Sequence, residues 1–117
     1  MIDERVALNL DNMKRATSQA ITFLAGKTEA EFLEDPLLQN ACAMCLLIIG
    51  ESTGRIERKS PEFVAERPDW PWNGIRGLRN KIAHDYFNLD LSVIWLTVRQ
   101  SLPDLLEKIE ALGPLDP

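Results

Sequence analysis

Apolar residues recur at three- and four-residue intervals through most of the chain. Between residues 3 and 25, Val6, Leu8, Leu10, Met13, Ala16, Ala20, Ile21 and Leu24 keep largely to that spacing, which predicts a helix with one buried face. Gly26 supplies its stop. Thr28 with Glu31 three positions later forms a capping box for a short helix to about Leu33. Asp35-Pro36 sets a cap before a proline at the first helical position, so a long helix should run from there to about Lys59. Ser60-Pro61 repeats the device for a brief helical turn to Glu66.

The segment RPDWPWNG, with two prolines and a glycine, reads as an ordered loop whose tryptophans pack back on the core. Stacking of nucleic-acid bases on Trp70 and Trp72 is the other reading of those rings. A helix should resume near Trp72 or Asn73 and reach about His84. Asp90 can cap the last helix, and Gly113-Pro114 ends it. Pro103 lies inside that helix and should bend or locally break it after Leu102. DLSVIWLTV is the nearest approach to a strand, but helical spacing follows it through Leu105, Leu106, Ile109 and Leu112. The expected fold is all-α: one domain over residues 1–117, a helical bundle of four longer helices plus short ones.

Composition adds few constraints. With 117 residues, 45% hydrophobic and 26% charged, the chain suits one ordinary globular core. The apolar run at 41–50 is too short to cross a bilayer, and the first 25 residues lack the order of a signal peptide, so a cytoplasmic protein without a membrane partner is expected. Cys42 and Cys45 invite a zinc or redox reading. Two cysteines and one distant histidine fall short of four zinc ligands, and a mid-helix position lacks the context of a thioredoxin-like motif. Buried thiols are the expectation, with no metal or cofactor.

The formal net charge is −5, yet residues 52–84 carry +3 and the remainder −8. That asymmetry permits a local anion site on a protein that avoids non-specific polyanion binding. It coincides with RGLRNKIAHDYF at 76–87, which holds the only histidine, His84, and the only tyrosine, Tyr86. If the helix persisted, Tyr86 would lie two turns below Arg79, with His84 about 140° away from Arg79 and Asn80 one turn before His84.

Histidine exchanges protons near neutral pH, and arginine grips phosphate through two parallel hydrogen bonds. Together they suit metal-independent RNA cleavage, in which a base deprotonates a 2′-hydroxyl and a cation stabilises the charge that develops on the phosphate. One histidine cannot comfortably be base and acid in the same step, so the chemistry favours a homodimer that pairs two motifs in one groove. Taken singly, each residue has a plainer reading: His84 as a helix-end residue, Tyr86 as packing, Arg79 as a solvated cation.

Arg79, His84 and Tyr86 within RNKIAHDYF resemble the motif of HEPN-domain toxins of the HepT type. LLIIGEST at 46–53, SPEF at 60–63, WPWNGIRGLRN at 70–80 and DLSVIWLTVRQSLPDLLEKIEAL at 90–112 are similar to successive segments of the same family. The resemblance covers nearly the whole chain, weakly over residues 1–40. It implies a homodimeric, metal-independent endoribonuclease in a toxin–antitoxin pair, with RNA as substrate and an MNT-type nucleotidyltransferase, MntA-like, as antitoxin. Arg79 would stabilise the scissile phosphate and His84 would transfer the proton. Asn80 and Glu51 would support them, Gly50 would permit close helix packing, and Tyr86 would receive AMP from the antitoxin as an off switch. Where many relatives carry an arginine six residues before that glycine, this chain has Met44. The competing expectation is a non-catalytic HEPN module that binds nucleotide and docks a partner nucleotidyltransferase.

Overall fold

A computed structural model of the chain describes residues 2–115. Asp3 opens the first helix, α1 (Glu4–Leu24), by accepting a hydrogen bond from the Arg5 amide at 2.9 Å. Gly26 follows with φ 75°, a left-handed conformation that costs glycine little. The capping box is present in both directions: the Thr28 amide donates to Glu31 at 2.9 Å and the Glu31 amide to Thr28 at 3.2 Å, opening α2 (Glu29–Leu33). Asp35 caps α3 (Pro36–Lys59), and α4 (Pro61–Ala65) follows after Ser60.

α3 is the centre of the bundle. Its apolar length and composition would allow it to cross a membrane, but here α1 packs along one side of it and α5 (Trp72–His84) along another. Leu10, Met13 and Leu24 of α1 meet the layer of Cys42, Cys45, Ile49 and Ile56 from α3, all essentially buried. Each such aliphatic side chain contributes roughly 1.5–3 kcal/mol by leaving water. Leu8 departs from the expected stripe: it is 62% exposed and points away from the core.

The last helix runs through α6 (Leu91–Leu96), a π-helical turn at Thr97–Ser101 and α7 (Leu102–Glu110). Pro103 was expected to bend or break it. The α-helical pattern does break locally, but before Leu102: the Leu102 amide bonds the Thr97 carbonyl five residues back, widening the turn just before the proline, and α7 begins with Pro103 in its first turn, where the missing N–H costs nothing. Ile94 before the wide turn, Val98 within it, and Leu102, Leu105 and Ile109 after it are all buried. No strand forms among the described residues.

The tryptophan loop anchors the start of α5. Trp70 and Trp72 stack with ring centroids 5.3 Å apart, and Phe63 meets both rings edge-on. Trp72 Nε1 donates to the Arg67 carbonyl at 2.8 Å. Both rings are buried, so core packing and loop anchoring, the first of the two readings, is what they do. α5 leans on α3, and an apolar groove of about 520 Å³, bordered by Leu46, Leu78, Val93 and Leu105, separates it from the α6–α7 helix.

Candidate active site

Three ties join α3 to α5 and the turn that follows. Arg76 pairs with Glu57, Arg79 with Glu51, and the Tyr86 hydroxyl donates to Asn40 Oδ1. As numbering rises along the motif it falls along α3, so the two segments run antiparallel and the polar groups line one seam.

Arg79 reaches that seam because Gly50 lies beneath it. A Cβ on Gly50 would collide with Arg79 Cβ and Cγ, so only glycine lets the arginine stem cross α3 at this depth. Nε and Nη2 of Arg79 both donate to Glu51 Oε1, the former at 2.9 Å, and Nη1 donates to Asn80 Oδ1 at 3.2 Å. Of the five N–H groups of a guanidinium, these contacts occupy three and leave one on each Nη. Two remaining donors on a fixed plane, one on each terminal nitrogen, suit oxygens of a phosphate. The Arg79 hydrogen bond also holds the Glu51 carboxyl below the usual carboxylate range, against a smaller opposing effect of burial.

His84 occupies the last turn of α5, five residues and roughly 7.5 Å of helix rise beyond Arg79. It is exposed, and its ring has no hydrogen-bond partner among the described residues. The helix ends where the sequence placed its end, so the alignment of Tyr86 two turns below Arg79, which required it to persist, does not arise. It stops at His84, Asp85 turns the chain, and Tyr86–Asn88 form a 3₁₀ turn tied by Asn88 Nδ2 to Asp85 Oδ1 at 2.8 Å. Tyr86 therefore swings off the helical track and packs half-buried toward α3.

The structure brings Arg79, Asn80 and Glu51 into direct contact, with His84 and Tyr86 on the same element and its extension. Asn40 was missed. No local signal within α3 marks it. Once Gly50 is set opposite Arg79, antiparallel counting puts Tyr86 opposite the region about one turn from Asn40, so register was the signal available. Cys42 and Cys45 are free and buried; burial, with a smaller push from Cys45, raises the Cys42 thiol to about 12, and burial raises Cys45 as well. No cluster of three or more histidine, cysteine or acidic side chains is placed to hold a metal among the described residues.

Residues 13–112 match the family model described as ribonuclease HepT-like. The chain belongs to the HepT-like ribonuclease family. Within it, a presumed RNase of Methanocaldococcus jannaschii is 33% identical over 103 residues, covering 88% of this chain and 79% of that protein. A probable ribonuclease HepT of Thermococcus cleftensis is 37% identical over 82 residues, covering 70% and 72% of the two chains. A presumed RNase of Caldanaerobacter subterraneus subsp. tengcongensis is 28% identical over 103 residues, covering 88% and 89%. No solved structure gives a significant match. The family assignment agrees with the all-α architecture.

Proposed function

We propose that this HepT-like chain is the toxin of a toxin–antitoxin pair, a metal-independent endoribonuclease that acts as a homodimer. The observation that carries this reading is Arg79, held by Glu51 over Gly50 with two donors free, on the same helix as the exposed His84. Arg79 grips the scissile phosphate. His84 takes the proton of the adjacent 2′-hydroxyl, that oxygen attacks the phosphorus, and the 5′-oxygen leaves with a proton supplied by the second His84 of the dimer. The products carry 2′,3′-cyclic phosphate and 5′-hydroxyl ends.

A second copy has a surface to meet. Leu37, Met44 and Ile48 recur at helical spacing on the outer face of α3 and are 78%, 56% and 37% exposed. Asn40 and Glu51 border the same face, so a two-fold contact along the stripe brings two seams together.

Control by an MNT-type nucleotidyltransferase would act on Tyr86. The phenolic oxygen bonds to the α-phosphorus of a nucleoside triphosphate, pyrophosphate leaves, and the phenolic proton passes to solvent. The attached AMP sets negative charge and bulk beside Arg79 and His84 and excludes the RNA backbone. The deciding experiment is digestion of total RNA, in chelator, by the wild type and by His84→Ala, with product ends analysed. Cleavage by the wild type alone, with cyclic phosphate ends, supports the reading. If neither protein cuts, the seam serves to bind nucleotide and dock the transferase.

A further inference from the structure

We propose that the cleft between the 3₁₀ turn and the first turns of α3 is a nucleobase subsite, where Phe87 stacks on one base of the RNA strand and the Asn40 amide hydrogen-bonds its edge. The proposal rests on the ribonuclease reading and specifies where the strand beside the scissile phosphate lies.

Phe87 is 97% exposed, whereas Phe32 and Phe63 are buried. Its ring meets the Tyr86 ring edge-on, with centroids 5.6 Å apart, and a face is left open. Beside it lies a cleft of about 280 Å³ bordered by Pro36, Gln39, Asn40, Tyr86 and Leu91. Pockets for drug-sized ligands run to about 300–1,000 Å³, so this one suits a single ring system better than a whole nucleotide.

Asn40 supplies the polar edge. Its Oδ1 accepts the Tyr86 hydroxyl hydrogen, and its two amide N–H groups have no partner among the described residues. An exposed aromatic face with amide donors on the same cleft is the kind of arrangement that recognises an unstacked base, with stacking for affinity and hydrogen bonds for identity. Asn40 lies eleven residues, roughly 16 Å of helix rise, from Glu51 on α3, so a base held there belongs to the strand leading away from the phosphate at Arg79. Leu37, Met44 and Ile48 do not line this cleft, although Asn40 borders both surfaces.

The test measures binding of a labelled single-stranded RNA to the His84→Ala protein, which does not consume it. An abasic site is walked through the RNA, and light scattering follows mass at the same concentration. Replacing Phe87 by alanine in that background should weaken binding about tenfold or more, and tryptophan at the same position should restore it. One abasic position should weaken binding to the Phe87 protein and leave binding to the alanine variant unchanged. Because the ring is almost wholly exposed, its loss should not unfold the domain. Equal affinity with and without the ring would overturn the proposal, as would a loss that follows a fall in oligomer mass, which would assign Phe87 to the contact between copies. A wild-type protein that binds RNA through Phe87 but cuts nothing keeps the subsite and ends the ribonuclease reading. One that cuts, with binding indifferent to Phe87, does the reverse.

Discussion

Arg79 crosses α3 directly over Gly50, with its Cα 3.6 Å from where a Cβ of residue 50 would sit. Glycine inside a helix ordinarily costs about 1 kcal/mol relative to alanine, so Gly→Ala there should stabilise. At Gly50 the added methyl meets the arginine stem near its root, and overpacking of that kind costs roughly 1–3 kcal/mol. Gly50→Ala should therefore lower the denaturation midpoint and abolish RNA cleavage. Gly54→Ala, which meets only the movable tip of Arg58 at 3.3 Å, should leave stability equal or raised. Paired denaturation curves check both signs.

Glu51→Gln should weaken RNA cleavage, because a neutral amide holds the Arg79 fork less firmly. The carboxyl is depressed when folded, so its contribution to stability is fully present above the unfolded value of about 4.3 and is lost as pH falls through the lower folded value. The wild type should exceed the variant by no more than about 1 kcal/mol at pH 7, since the pair is partly exposed. The gap should shrink on acidification below pH 4, as chemical denaturation at the two pH values will show.

The thiols of Cys42 and Cys45 should resist aromatic disulfide reagents at pH 7.5 in the folded protein. Burial both shields them and keeps them protonated, with Cys42 at about 12. Titration in denaturant should release both; rapid labelling of the native protein would contradict this packing.

Met44→Glu should shift a dimer toward monomer and slow cleavage at low protein concentration. A carboxylate at the middle of the exposed α3 stripe would have to lose its hydration when two copies meet. Sedimentation across a concentration series reads the outcome, and an unchanged mass would remove the stripe from the interface.

Under the proposed control, the wild type incubated with an MNT-type nucleotidyltransferase and ATP should gain the mass of one AMP, and Tyr86→Phe should not. The variant keeps the ring packing and loses the hydroxyl bonded to Asn40, so its stability should fall by about 0.5–1.5 kcal/mol. Mass spectrometry distinguishes transfer at this residue from transfer elsewhere.

Helix boundaries were legible because their signals are local. Thr28 with Glu31 and Asp35 before Pro36 act within one turn, and both caps form as the spacing implied. The misreadings involve information held elsewhere in the chain. Leu8 fits an apolar spacing but faces out, since the core-facing arc of α1 is set by where α3 and α7 lie. The local break that Pro103 predicted falls one turn earlier than expected, at Thr97–Ser101, because a widened turn there absorbs the missing N–H. Arg79 and Glu51 could be paired from family likeness; linking Asn40 to Tyr86, 46 residues away in sequence, required knowing the register of α3 against α5 and its following turn.

The three ties of the seam all end on α3: at Asn40, Glu51 and Glu57. The chemistry is thus inherited as a two-helix unit, and α1 and α7 are its frame. Substitutions in the frame can drift so long as they refill the same volume, without re-aiming the side chains of the seam. Positions 40, 50, 51 and 57 are tied to partners on the motif and can change only in step with them. Descendants of such a chain could diverge widely in their outer helices while the reaction stays the same, and a change of substrate could come from the exposed turn at Phe87 alone.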